Sequence, residues 1–151
     1  MTLTRILTEG YGPGAWHGAD IKAATTGVSS TTAFKRPRRK GGKAHNIAEI
    51  TLHHAFYVHS IRGRLLGTEI EPFLLKGEDW FPLADGKKLS WKKITTELAA
   101  LQAKLARTVA DIEAGKVSSP LSDEDRLNLV LGISCHSAYH AGQIQLIKLL
   151  L

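Results

Sequence analysis

Between Ser90 and Gly115 the apolar residues Ile94, Leu98, Leu101, Leu105, Val109 and Ile112 recur three or four positions apart. That is the period of a helix with one apolar face; a half-buried strand would alternate every second residue. Ser90 is a cap at one end and Gly115 a stop at the other, so the spacing predicts a helix over about 91–114. Such a helix buries one stripe and must find other helices to bury it against. Two more segments have the same character. Asn46 and Glu49 form a capping-box pair, and Ile47, Ile50, His54, Val58, Ile61 and Leu65 follow at helical spacing. A helix from there to about Leu66, stopped by Gly67, is predicted. Ser122-Asp-Glu-Asp125 opens a last helix to about Leu150, its acids favoured by the helix dipole.

The rest of the chain connects these elements. Leu3, Ile6 and Leu7 make a short apolar pattern, and Gly10-Tyr-Gly-Pro-Gly14 reads as a turn rather than a helix. Trp16 reads as a core anchor, and His17 as a cap for a first helix over about 18–28. Residues 29–44 read as a long connection with one helical turn around Thr31–Phe34. Residues 67–89, with Pro72, Pro82, Gly77, Gly86 and the pair Trp80-Phe81, are a loop of the length expected of a lid or site wall. No segment shows sustained strand alternation, and there are no internal repeats. The expected fold is all-α: one domain over 1–151, a four-helix bundle with long connecting loops.

The 151 residues suffice for one ordinary core. No apolar run approaches the ~20 residues of a bilayer span, and the first residues lack a signal-peptide core. Cys135 is the single cysteine, which excludes an internal disulfide and suggests a reducing, cytoplasmic setting. Cys135 itself reads as a small buried apolar residue. The net charge of +6 is local: Lys35, Arg36, Arg38, Arg39, Lys40 and Lys43 carry six positive charges in nine residues, and the remainder is neutral. The segment Lys35–Lys43 reads as a solvated connector, an anion site near a pocket, or a weak nucleic-acid contact. No aromatic residues interleave the charges, which counts against a single-strand stacking platform, and no recognition motif for nucleic acid is visible.

His136 and His140 are the residues that point to chemistry. At i and i+4 they share a helix face with Leu129, Ile133, Ile144 and Ile147, so both imidazoles point inward. They are either histidines satisfied by core neighbours or two ligands for one metal ion. On the second long helix His53 and His54 sit side by side and diverge by about 100°. The helical wheel puts His54 at the centre of the apolar stripe and His53 on its flank. Tyr139 flanks the histidine pair, lining a pocket or packing in the helix interface. His45, just before the cap, reads as surface. There is no Ser-His-Asp order, paired-carboxylate motif or nucleotide loop, so any chemistry has to lean on a metal.

The chain resembles the DinB-like superfamily, four-helix metal-binding proteins that include the YfiT type. The matching stretches are Ala15-Trp-His-Gly18, Asn46 to Tyr57, Glu78-Asp-Trp80 and His136 to Ile144, the last fitting H-x-x-Y-H-x-G-Q-[IL]. The resemblance implies a divalent ion (zinc, nickel or iron) held by one histidine of the second helix and two of the last: His53, His136 and His140. His54 falls where the family has an aliphatic residue and is the competing ligand. Gln143, Glu49 and Asp20 are candidates to hydrogen-bond the ligands' other nitrogens, and His17 to fill a fourth position.

Three neutral ligands leave the ion its full charge and open positions, as in catalytic rather than structural sites. The resemblance implies an enzyme of the S-transferase type, in which the metal activates a low-molecular-weight thiol against a small-molecule electrophile. A metal-dependent hydrolase using bound hydroxide and a non-enzymatic metal-binding stress protein are the alternatives. It also implies a homodimer.

Overall fold

The computed structural model describes residues 2–12, 15–38 and 44–151. These residues are all-helical and contain no strand. Six helices follow one another: α1 (Leu3–Tyr11), α2 (Ile21–Thr25), α3 (Ser30–Phe34), α4 (Ile47–Leu66), α5 (Trp91–Glu113) and α6 (Asp123–Leu150).

The three long helices begin and end where their caps dictate. Asn46 Oδ1 accepts the Glu49 N–H at 2.8 Å, and the Glu49 carboxylate accepts the Asn46 N–H at 3.3 Å. Two otherwise orphaned donors at the start of α4 are thereby satisfied. Gly67 ends α4 in the left-handed region (φ 66°), and a Cβ there would lie 2.4 Å from Pro120. Ser90 and Ser122 accept the N–H groups of Lys93 and Asp125 at the starts of α5 and α6.

The directions of the helices follow from their contacts. Arg62, near the end of α4, reaches Thr108 near the end of α5 at 3.3 Å, so these two run the same way. Parallel neighbours cannot be joined by a short turn. Residues 67–90 accordingly run back along α4, roughly 30 Å of helix at 1.5 Å per residue, until Leu83 bonds Asn46 at its start. The start of α1 bonds Glu113 at the end of α5; Phe34 O bonds Asn46 at the start of α4, and the adjacent Lys35 bonds Leu151 O just past the end of α6. α1 and α6 therefore run opposite to α4 and α5. Helix α4 packs on α5 and α6, and α1 packs on α6 and α5. The core between them holds Leu52, Ala55 and Val58 of α4, Leu98 and Leu105 of α5, and Ile133 and Ile144 of α6. Truncating a fully buried leucine such as Leu52 or Leu105 to alanine typically costs ~2–5 kcal/mol.

Four expectations are corrected. The N-terminal stretch is a helix that runs through Gly10 and Tyr11 to a cap at Gly12. Gly10 is needed there because a Cβ would sit 2.9 Å from Ser134 of α6, so the glycine serves helix contact rather than a turn. The helix expected over 18–28 is five residues long and is capped by Asp20, not His17. Trp16 is 98 % exposed on the turn before it and anchors no core. Cys135 is exposed, because it lies on the outer face of α6. No helix of the described residues is long and apolar enough to cross a membrane.

Candidate metal centre

Helix α4 brings His53 to the same point that α6 reaches with His136 and His140. Their ligand atoms lie within 4.8 Å of one another. His136 Nε2 stands 3.2 Å from His53 Nε2 and 3.0 Å from His140 Nε2. A tetrahedral ion with bonds of ~2.0 Å sets its ligands about 3.3 Å apart, so three Nε2 atoms at this spacing could hold a metal ion.

The outer nitrogens decide where the protons sit. His53 Nδ1 faces the backbone carbonyl of Asp79 at 2.9 Å. A carbonyl only accepts, so Nδ1 carries the hydrogen and Nε2 of the neutral ring is a bare lone pair. His140 Nδ1 donates likewise to Gln143 Oε1 at 2.7 Å, which bares its Nε2 as well. His136 lies between these two lone pairs and can offer a proton to only one. Protonating a ring does not resolve the conflict at neutral pH. Burial first, then the neighbouring imidazoles, push His136 down to about 4. Burial likewise holds His140 at about 4, against the opposing pull of Gln143. Burial also lowers His53. A cation at the centre would meet all three Nε2 atoms at once.

His54 is buried, and its Nδ1 lies 2.9 Å from His136 Nδ1. If His136 bares its Nε2 toward the centre, its Nδ1–H donates to His54 Nδ1. That leaves the His54 proton on Nε2, which has no partner among the described residues. Burial holds His54 far below the usual imidazole range, so it stays neutral. The wheel's competing ligand thus lies behind His136 rather than beside it. Sequence spacing could not show this, because it depends on which way two rings turn across two helices.

The loop over 67–90 closes the other side. Asp79 is the one described non-glycine residue with positive φ, 63°. This backbone costs ~1 kcal/mol or more, and it turns both the carbonyl and the carboxylate of Asp79 toward His53, the latter at 3.1 Å. The Tyr57 hydroxyl donates to the same carboxylate. Trp80 stacks on His53 at 3.9 Å and on His45 at 3.7 Å, both nearly parallel. Two rings this close to one indole and both parallel to it lie on opposite faces, so Trp80 is held between two imidazoles. His45 is exposed, as expected, and also lines the adjoining cavity. A cavity of about 310 Å³ adjoins the histidines and shares Trp80 and Gln143 with them; Pro37, Ile50, Leu146 and Ile147 form its apolar sides.

The remaining candidates fall elsewhere. Glu49 is buried and contacts no ligand histidine. It takes hydrogen bonds from Arg36, Leu83 N–H, Asn46 N–H and His45. Burial raises its pKa, but those bonds outweigh burial and hold it below the usual range. Asp20 caps α2, and His17 is exposed. Tyr139 packs edge-on against His140 but is 63 % exposed. The basic segment is not simply solvated: Arg36 clamps Glu49 and the Ala44 carbonyl, and Lys35 bonds Leu151 O. Arg39, Lys40 and Lys43 lie outside the described residues. His59, for which the sequence suggests no role, is buried against Phe73. Comparison with protein-family models, curated proteins and solved structures gave no match.

Proposed function

We propose that this chain is a divalent-metal protein of the DinB-like type. His53, His136 and His140 hold the ion through Nε2, and the bound ion serves an S-transferase reaction on a low-molecular-weight thiol. The convergence of three lone-pair nitrogens, two of them fixed by acceptors behind the rings, carries this reading. Imidazole ligands suit zinc, nickel or iron. The bundle reading rests on α1, α4, α5 and α6, each packed on two of the others, with α2 and α3 as short insertions.

A bound ion with three neutral ligands keeps its charge and an open position, and favours the thiolate over the thiol there. The protein's own residues do the positioning. Asp79 O and Gln143 Oε1 fix the ring orientation of His53 and His140. Trp80 and Tyr57 wall the site. The adjoining cavity offers an apolar seat for the electrophile, whose carbon gains the sulfur as its leaving group departs with the bonding pair.

Elemental analysis of untagged protein should find about one equivalent of a single divalent metal. His53→Ala, His136→Ala and His140→Ala should each abolish stoichiometric binding while leaving the helical spectrum intact. Metal-loaded protein should then turn over electrophiles only with added thiol. Thiol-independent turnover would favour the hydrolase reading, and metal-free wild-type protein that takes up no ion on titration would overturn both.

A further inference from the structure

Among the histidines of α4 and α6, His59 is the one that stands apart from the metal centre. It lies six residues after His53, roughly 9 Å further along α4 and about 120° around it. The residue is 8 % exposed, and its Nδ1 is buried with no partner among the described residues. Buried polar atoms are nearly always paired, so an imidazole left this way needs a reason. Packing against Phe73 gives none, since a leucine or phenylalanine would fill that space without a stranded nitrogen. Nε2 is neither sealed in nor bonded to a described residue, so it is the open edge of the ring.

The ring lines a cavity of about 660 Å³ between α4 and the start of the long crossover. Phe56 of α4 and Ile70, Pro72, Phe73 and Leu75 of the crossover make its apolar walls, and the rings of Phe56 and Phe73 meet edge-on at 5.4 Å. That volume and lining are those of a small-molecule site. None of its lining residues belongs to the three-histidine centre or to the 310 Å³ cavity beside it. The outer wall is fastened in place. Glu71 of the crossover bonds Arg62 of α4 at 3.0 Å and Lys104 of α5 at 2.5 Å. Lys104 first, and Arg62 next, hold its carboxyl down to about 2, so the tie persists through the neutral range. A wall already ordered need not be ordered by the ligand.

We propose that this cavity is a second ligand site, for an uncharged aromatic molecule bearing a hydroxyl that bonds the His59 imidazole. The aromatic walls select the ring system. The charges at the rim select against an ion: Arg64 and Lys76 are offset by Glu69 and Glu78, all four exposed, so neither sign is favoured. His59 selects the hydroxyl. Burial lowers its pKa against the pull of Glu71, so the ring is neutral at pH 7 and its open nitrogen either donates or accepts. A hydroxyl does both and suits either tautomer, whereas a carboxylate only accepts and an ammonium only donates.

Calorimetric titration of the full chain with 2-naphthol, as purified and after EDTA treatment, should give one site with a Kd of about 0.1 mM, ordinary for a molecule of that size. The affinity should be the same in both samples, because no histidine of the centre lines the cavity. The charged analogue 2-naphthoate should bind at least about tenfold more weakly. His59→Phe keeps a ring and removes the nitrogens, and should weaken 2-naphthol by about tenfold. His59→Gln restores a donor and an acceptor and should recover most of that loss. Ser60→Trp, from the cavity wall, should abolish binding with an unchanged helical spectrum. No saturable binding at millimolar 2-naphthol, undiminished binding by Ser60→Trp or His59→Phe, or naphthoate bound as tightly as naphthol would each overturn the proposal. So would binding that EDTA abolishes, which would assign the ligand to the metal centre instead.

Discussion

Helix α4 carries two buried polar clusters barely a turn apart, and they are built on opposite plans. Around Glu49 every group has a partner of the right kind. A carboxylate that only accepts is met by a guanidinium, two backbone N–H groups and an imidazole. Around His53 acceptors meet acceptors. The bare Nε2 atoms of His53 and His140 flank His136 Nε2, which can donate to only one of them, and His54 Nε2 behind them has no partner among the described residues. The first cluster ties Arg36, the start of α4 and Leu83 into one unit and asks for nothing further. The second leaves at least one lone pair without a donor, and a cation could take it up. Buried polarity alone is thus no guide to function, whereas the balance of donors and acceptors is.

The sharpest way to break this contrast is to open the closed cluster. Glu49→Ala strands Arg36 and the Leu83 N–H and should cost about 3 kcal/mol of folding stability. Metal affinity of the folded fraction should stay within about tenfold of wild type, a small change beside that loss. Chemical denaturation and isothermal titration would measure the two separately.

Acid should dissect the clusters in order. Unfolded histidines take protons near 6.5, whereas folded His136 and His140 do so only at about 4. Between those values the unfolded chain binds more protons, so the metal-free protein should lose stability as pH falls from 6.5 toward 4. Folded Glu49 binds its proton less readily than the unfolded carboxylate at 4.5. Its contribution is present above 4.5 and should fade only below that value. Denaturation midpoints of wild type and Glu49→Ala across pH 7 to 3 should therefore diverge between pH 7 and 4.5 no further than at pH 7, and converge below.

A smaller effect is expected behind the ligands. His54→Phe removes the acceptor for His136 Nδ1 and should weaken metal binding by ~10–100-fold, with metal-free stability at or above wild type because a buried unpaired nitrogen has gone. Smallest of all, Asp79→Asn keeps the carbonyl and the tolerated left-handed backbone and removes only the carboxylate charge. A change under about 1 kcal/mol in either stability or metal binding is expected, read by the same titrations.

How much of this the sequence discloses depends on range. The ends of α4, α5 and α6 are legible because caps such as Asn46–Glu49 and Ser122 act within four residues. Helix α1 is not, because Gly10 looks like a turn until Ser134, more than a hundred residues away, is seen against it. The His136–His140 pair is visible as spacing on one helix. Asp79 is invisible as a partner of His53, since only the return of the long crossover and an unusual φ bring it there. Residue type alone puts Trp16 and Cys135 inside; the turn that carries the one and the outer face that carries the other place them in solvent.

The indole held between His45 and His53 also makes the molecule its own optical gauge. Imidazolium rings quench tryptophan emission far more than neutral ones do, and an ion bound through His53 would withdraw electron density from a ring lying flat on Trp80. Trp16 emits from open solvent and Trp91 from a dry site, hydrogen-bonded to Val28. Occupancy of the centre should therefore be legible in the emission of one chromophore out of three, with no dye or tag attached.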